Sequence, residues 1–245
     1  MDAQPVSGKG YLQIYMLGSF KVYSAKGELS GSRARTSLMW KLFKYLIINR
    51  GRAVSTEKLI DVLWPSGECE DPLRALYTLV YRLRSALSEG AGEKLEFIIY
   101  ENDSYIWNSE LPVFIDYEEF LKCAAEAKPL GDEAALPLLE EAFGLFRGDL
   151  LSDMSEELWM LTSTSRAHAA FCELAGRLIN IYLELERADD AAKACEHALT
   201  VDNYEEGFHL GLLRALLAMG RHSLALAHYE YYCAMLYNEL GVMPT

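Results

Sequence analysis

Asp71-Pro72-Leu73-Arg74-Ala75-Leu76-Tyr77-Thr78-Leu79-Val80-Tyr81-Arg82-Leu83-Arg84-Ser85-Ala86-Leu87 is the stretch on which the reading of this chain turns. Asp71 offers a short carboxylate to cap a helix. Pro72, at the first helical position, lacks an N–H that would have had no partner there. At about 100° per residue, Leu76, Leu79, Val80, Leu83 and Leu87 fall in one arc, with Ala75 and Ala86 at its edge. Arg74, Tyr77, Thr78, Tyr81, Arg82, Arg84 and Ser85 fill the opposite arc. That arc carries no acid, in a chain with 36 Asp+Glu against 23 Lys+Arg. Arginine pairs in two-pronged fashion with guanine, while Tyr, Thr and Ser reach phosphates or thymine methyls. The plainer reading is an amphipathic helix whose solvated face is basic by chance. The flanking sequence decides between them.

Upstream, Ser55 predicts the N-cap of a helix that turns Leu59, Ile60 and Leu63 inward and stops at Trp64-Pro65. Before it, Leu38, Leu42, Tyr45 and Leu46 share a helix face, with Lys41 and Lys44 off it. Tyr11–Leu17 and Phe20–Tyr23 read as strands broken at Gly18-Ser19. Downstream, Phe97–Tyr100 and Tyr105–Trp107 flank a turn at Glu101-Asn102-Asp103-Ser104, which predicts a hairpin. The order strand, strand, helix, helix, helix, hairpin over residues 11–107 is that of an α+β winged helix-turn-helix. Residues 1–10 are polar and aperiodic and read as a disordered tail or linker.

From Pro112 onward the pattern reads as helical to the end. Helices are expected from Asp116, Asp132, about Glu156 (to Leu185), Asp189, Glu205 and His222, with a break at Gly148-Asp149. A shift of 34 residues aligns Leu183 with Leu217, Arg187 with Arg221 and Ala191 with Ala225. Thirty-four is the tetratricopeptide (TPR) period. Residues 116–245 are therefore expected to form an all-α, TPR-like domain.

The net charge of −13 is unevenly spread. Residues 1–107 carry 14 basic and 12 acidic side chains, a balance of +2, while residues 108–245 carry 9 and 24, a balance of −15. The first part has room for a basic face. The second repels phosphate and favours dimerisation or a basic protein partner. Five scattered cysteines, none in a Cys-x-x-Cys, read as reduced and mostly buried. With no apolar run of membrane-spanning length and no signal-peptide pattern, a cytoplasmic protein away from the membrane is expected.

Leu59-Ile60-Asp61-Val62-Leu63-Trp64-Pro65, followed by Ala75–Leu87, resembles the OmpR-like domain of the SARP family (Streptomyces antibiotic regulatory proteins). Asp116-Tyr117-Glu118-Glu119-Phe120, Leu138-Leu139-Glu140-Glu141-Ala142, Phe146-Arg147-Gly148-Asp149-Leu150-Leu151 and Glu239-Leu240-Gly241-Val242-Met243-Pro244 resemble that family's bacterial transcriptional activator domain. The resemblance covers about residues 12–245 in the family's order. It implies a transcription activator that binds promoter DNA, often at direct repeats, and recruits RNA polymerase. It implies Arg74–Ser85 as recognition helix and Glu101–Tyr105 as wing, with Asn102 and Ser104 at its tip. It also implies the Pro65–Asp71 loop as a polymerase contact. Acids in a loop beside DNA weaken phosphate binding, so Glu68 and Glu70 read either as solvated loop acids or as facing a basic patch of polymerase. Asp103-Ser104 stands where the family usually has a glycine before the tyrosine, and Glu101 and Asp103 add acid to the wing.

Catalytic and metal patterns do not emerge. His168, His197, His209, His222 and His228 are not read as metal ligands, and no cofactor motif is found. Glu140-Glu141 and Glu156-Glu157 are adjacent on helices and so do not face each other. The reading is a non-enzymatic regulator. The alternative is a TPR adaptor with a degenerate winged helix, which the overall acidity and the acidic wing favour.

Overall fold

A computed structural model describes residues 11–31, 37–67, 69–92, 94–154 and 157–242. The expected tail at residues 1–10, Glu68 and Glu156 lie outside the described residues. The chain divides into two compact units, residues 1–116 and 117–245.

In the first unit, β1 (Leu12–Tyr15) pairs antiparallel with β2 (Lys21–Ser24), which pairs with β3 (Gly27–Glu28). Leu12, Ile14 and Val22 are fully buried on this sheet. Three helices follow: α1 (Leu38–Ile48), α2 (Thr56–Leu63) and α3 (Pro72–Ala91). A short β4 (Val54–Ser55) before α2 pairs with β6 (Ser104–Trp107) of the hairpin it forms with β5 (Ile98–Glu101), in the order β4-β6-β5. Ser55 accepts from the Lys58 N–H, the cap expected for α2. Within α2 it is Val62 rather than Ile60 that is buried beside Leu59 and Leu63.

Two further expectations fail here. Residues after Pro112 are not all helical: β7 (Val113–Ile115) runs parallel to β1 and completes the sheet β3-β2-β1-β7. Its three residues are too few to show a period, and only pairing with the distant β1 makes them a strand. Asp116 ends this run fully buried and accepts from the N–H groups of Met16 at 2.7 Å and Leu17 at 3.2 Å. Lys44, expected off the apolar face of α1, is also fully buried, with its Nζ 4.5 Å from the centre of the Phe20 ring. Seven consecutive or near-consecutive α1 side chains, Trp40 and Leu42–Ile47, are buried because the helix is wrapped on most of its circumference. An ammonium on a long stem then has to make its contacts inside, over an aromatic face. Phe20 belongs to a cluster in which Phe20, Trp40, Phe43, Trp107 and Phe97 meet ring to ring, at centroid distances of 5.3–6.0 Å.

From Asp116, the last residue of the first unit, α4 (Asp116–Ala127) runs into the second, where α5 (Asp132–Leu145) and α6 (Leu161–Glu184) lead to α7 (Ala188–Val201), α8 (Glu206–Ala218) and α9 (His222–Leu240). The long helix starts at Leu161, later than expected, after 3-10 turns at Ser152–Met154 and Leu158–Met160. The 34-residue repeat is visible in the backbone. Arg187 and Arg221 cap α7 and α9 with φ, ψ of −86°, 56° and −86°, 54°. Their N–H groups donate to Tyr182 O and Leu216 O, also 34 apart, each at 2.8 Å. Ala191 and Ala225, small enough for close helix approach, are both buried. At Gly211 in α8 an added Cβ would stand 2.8 Å from Ile179 Cγ2 and 2.9 Å from Cys195 Sγ, so that glycine is what lets α6, α7 and α8 close together.

Candidate nucleic-acid interface

The exposed side of α3 is set by its ends and its buried stripe. Asp71 accepts from the Arg74 N–H at 3.1 Å, Pro72 opens the helix, and Gly92 closes it at φ 79°. Leu76, Val80, Leu83, Leu87 and Gly90 are buried, which turns the opposite side outward. Arg74, Tyr77, Thr78, Tyr81 and Arg82 are exposed, Tyr81 by 74%. Thr78 Oγ1 donates back to Arg74 O at 3.0 Å, which orients its methyl and hydroxyl on that face.

Arg84 and Ser85 do not share this freedom. Arg84 is half-buried, and its Nε and Nη2 donate to Ile98 O at 3.1 and 2.7 Å, with Glu96 4.0 Å away. Ser85 Oγ donates to Glu89 Oε1 at 2.8 Å. The helical wheel groups all seven side chains, but the hairpin lies against the last turns of α3 and takes Arg84 for itself.

The hairpin is tied to both neighbouring helices. Asn102 and Asp103 hold φ of 49° and 56°, so the two-residue turn has the doubly left-handed form that matches strand twist. Asn and Asp tolerate that region best among non-glycine residues. Asp103 is spent on holding the turn down: Thr56 N and Oγ1 both donate to its carbonyl at 3.0 Å, and Thr56 Oγ1 also lies 3.0 Å from its carboxylate. Tyr100 donates to the same carboxylate at 2.9 Å, and Tyr77 lies close enough to act on its hydroxyl. The Tyr100 hydroxyl is accordingly held above its ordinary pKa, chiefly by Asp103. Burial pushes Tyr105, whose ring centre lies 4.8 Å from that of Tyr100, up to about 12. Asn102 is exposed at the tip, and Ser104 half-exposed behind it donates to Asn102 O. A continuous surface therefore runs from Arg74 through Tyr77 to Tyr100 and the hairpin tip. Tyr100 was not among the expected site residues. Its place at the end of a predicted strand, beside a turn, was the available signal.

In the α2–α3 loop Glu70 is exposed, and Glu68 lies outside the described residues. In the second unit Glu140 accepts from Tyr182 and Arg187 at 2.9 and 3.2 Å, and Arg187 also lies over the Tyr182 ring; these contacts hold helices together. No described helix is long and apolar enough to cross a membrane.

The arrangement of an exposed helix, a preceding helix and a tethered hairpin is that of a winged-helix regulator, and comparison with known proteins agrees. Residues 115–245 match the Bacterial transcriptional activator domain, and residues 33–101 match the Transcriptional regulatory protein, C terminal family. Transcriptional regulator RedD of Streptomyces coelicolor is 28% identical over 96% of this chain and 67% of its own length. Regulatory protein AfsR of the same organism is 27% identical over 96% of this chain and 23% of its own length. The chain thus spans about a quarter of AfsR. In fold it resembles Mycobacterium tuberculosis EmbR, solved in complex with a low affinity phosphopeptide, with a TM-score of 0.72 at 20% identity over 96% of this chain and 62% of that one. The chain belongs to the bacterial transcriptional activator domain family and, with RedD and AfsR as relatives, is a SARP-type transcription regulator.

Proposed function

We propose that this chain is a promoter-binding activator that reads bases through Arg74, Tyr77, Thr78, Tyr81 and Arg82 in the major groove. The observation that carries this reading is the exposed face of α3, cationic and aromatic, in an acidic chain. Asn102 and Ser104 of the wing lie along the backbone. Arg84 and Ser85 support the wing and the helix instead of reading bases. The contact is non-catalytic and belongs to a cytoplasmic setting.

The test is a mobility-shift titration on DNA upstream of the chain's own gene cluster. Arg74→Ala and Arg82→Ala should each weaken the cognate site by about 1–3 kcal/mol and flatten base preference. Specific binding that survives the double change would remove α3 from this role.

For activation, the α2–α3 loop is the proposed polymerase contact. Acids beside DNA weaken phosphate binding, so Glu68 and Glu70 serve a protein better than they serve DNA. Rim charges steer association more than they hold it. Glu68→Lys with Glu70→Lys should leave promoter affinity equal or tighter while transcription falls. Transcription that simply follows occupancy would exclude the loop.

The second unit, with its −15 balance, serves protein contacts, including a homodimer. Leu224, Leu226, Tyr229, Tyr231, Tyr237 and Leu240 of α9 are all about half or more exposed, which supports that role. The same surface favours the second reading, a TPR adaptor. Cognate DNA binding by the intact chain separates the two, and sedimentation across a concentration series tests the dimer.

A further inference from the structure

His168 and Cys172 stand one turn apart on α6, on the same face, where side chains at i and i+4 are neighbours. The fold brings Asp202, the residue that ends α7, against them. His168 Nε2 lies 3.0 Å from Asp202 Oδ2. One ligand atom from each of His168, Cys172 and Asp202 lies within 4.8 Å of the other two, and all three residues are half-buried. In a tetrahedral site with bonds of about 2.0–2.3 Å, ligand atoms stand roughly 3.3–3.7 Å apart, so small side-chain rotations bring these three into range.

Two further contacts have the form that metal sites use. Asp149 Oδ1 lies 3.5 Å from His168 Nδ1, the ring nitrogen that would not bind metal. A carboxylate there fixes the tautomer and orientation of a metal-bound imidazole. Asp202 Oδ1 accepts from the Tyr204 N–H at 2.9 Å, which fixes the carboxylate with its other oxygen toward His168. Asp149 and Asp202 thus bring two carboxylates to one imidazole, at 3.5 and 3.0 Å.

We propose that His168 Nε2, Cys172 Sγ and Asp202 Oδ2 bind a divalent cation of the zinc type, with water in the fourth position and Asp149 orienting the histidine. A mixed nitrogen, sulfur and oxygen set suits zinc over magnesium or calcium, which prefer all-oxygen sites. Binding displaces the thiol proton of Cys172 and leaves His168 neutral with its remaining proton on Nδ1, facing Asp149. The bound ion would join the loop after α5, the middle of α6 and the α7–α8 turn, three segments distant in sequence.

The test uses the full chain, stripped with chelator and titrated with cobalt(II), whose thiolate charge-transfer and tetrahedral visible bands report the ligand set. The expected result is stoichiometric appearance of both bands, their loss in Cys172→Ser and their persistence in Cys233→Ser. Asp149→Asn should weaken binding by about 10–100-fold; unchanged affinity would remove Asp149 from the site. A second measurement needs no variant: zinc should slow alkylation of Cys172 and leave that of Cys233 unchanged. Absence of the bands, bands that survive Cys172→Ser, or no protection of Cys172 would overturn the proposal. His168 would then be an imidazolium held between two carboxylates.

Discussion

Arg84 crosses from α3 to the hairpin and donates from both Nε and Nη2 to the carbonyl oxygen of Ile98, at 3.1 and 2.7 Å. Two charge-assisted bonds on one acceptor set the angle between the helix and β5. The Arg84 side chain is 36% exposed, so water screens part of their strength.

Arg84→Ala should therefore cost about 1 kcal/mol of stability, whereas Arg82→Ala, exposed and unclamped, should stay within about 0.5 kcal/mol of the parent. In DNA binding the two should separate differently. Arg82→Ala changes base preference, while Arg84→Ala weakens all sequences alike by loosening the wing. Urea titration beside mobility shifts on cognate and scrambled DNA checks both, and equal loss of base preference in the two variants would contradict the division.

Asp116 also holds the first unit together. Its buried carboxylate accepts from two backbone N–H groups, of Met16 and Leu17. Asp116→Ala strands both donors and should cost roughly 2–4 kcal/mol. Unfolding followed by tryptophan fluorescence reads this, since Trp40 and Trp107 lie in the core of the same unit. A loss below that of an ordinary surface substitution would mean the sheet edge closes without it.

The repeat offers a paired prediction. Glu186 and Gly220 occupy equivalent positions before α7 and α9, with φ of 57° and 70°. Only glycine adopts that region without steric cost, so Glu186→Gly should stabilise by about 0.5–1 kcal/mol and Gly220→Ala should destabilise by about 1–2 kcal/mol. Opposite signs in thermal unfolding are the expected result. Equal signs would show that the two turns are not equivalent.

His209 Nε2 lies 2.9 Å from Asn203 O, and its Nδ1 lies 3.0 Å from His228 Nε2. The carbonyl can only accept, so Nε2 of His209 carries the proton and His228 donates to Nδ1. Tyr232 stacks on His209 with ring centres 3.9 Å apart. Burial holds both imidazoles below the ordinary value of 6.5, with His209 also lowering His228. The folded chain keeps these rings neutral while the unfolded chain takes up protons. Their contribution to stability is therefore full above pH 6.5 and is lost as the pH falls toward the folded-state values. Below pH 6.5 the parent should lose stability more steeply than His228→Gln, a difference in which the other histidines cancel. Parallel curves would refute it.

Several features were legible because they depend on residues near each other in the chain. The Ser55 and Asp71 caps, the apolar stripe of α3 and the hairpin turn each follow from local spacing. So does the 34-residue repeat, which reappears in matched backbone angles at Arg187 and Arg221. Lys44 and β7 were not legible. A helical wheel assumes one wet side, and α1 has almost none; a three-residue strand carries no period of its own.

The sequence by itself determined the order of the first two strands, three helices and hairpin, the family and the face of α3 that looks away from the core, since periodicity and caps act over a few residues and the apolar stripe has one way to be buried. Which of the seven polar side chains on that face remain free was a tertiary matter. Arg82 and Arg84 differ by two positions, and the carbonyl of Ile98, fourteen residues beyond Arg84, occupies one of them. The same holds for the buried carboxylate of Asp116, a hundred residues from the N–H it satisfies, and for Asp202 beside His168, thirty-four residues apart. Hydrogen-bond partners this distant are chosen by packing, because a polar group leaving water takes whichever complementary group the folded backbone brings within reach.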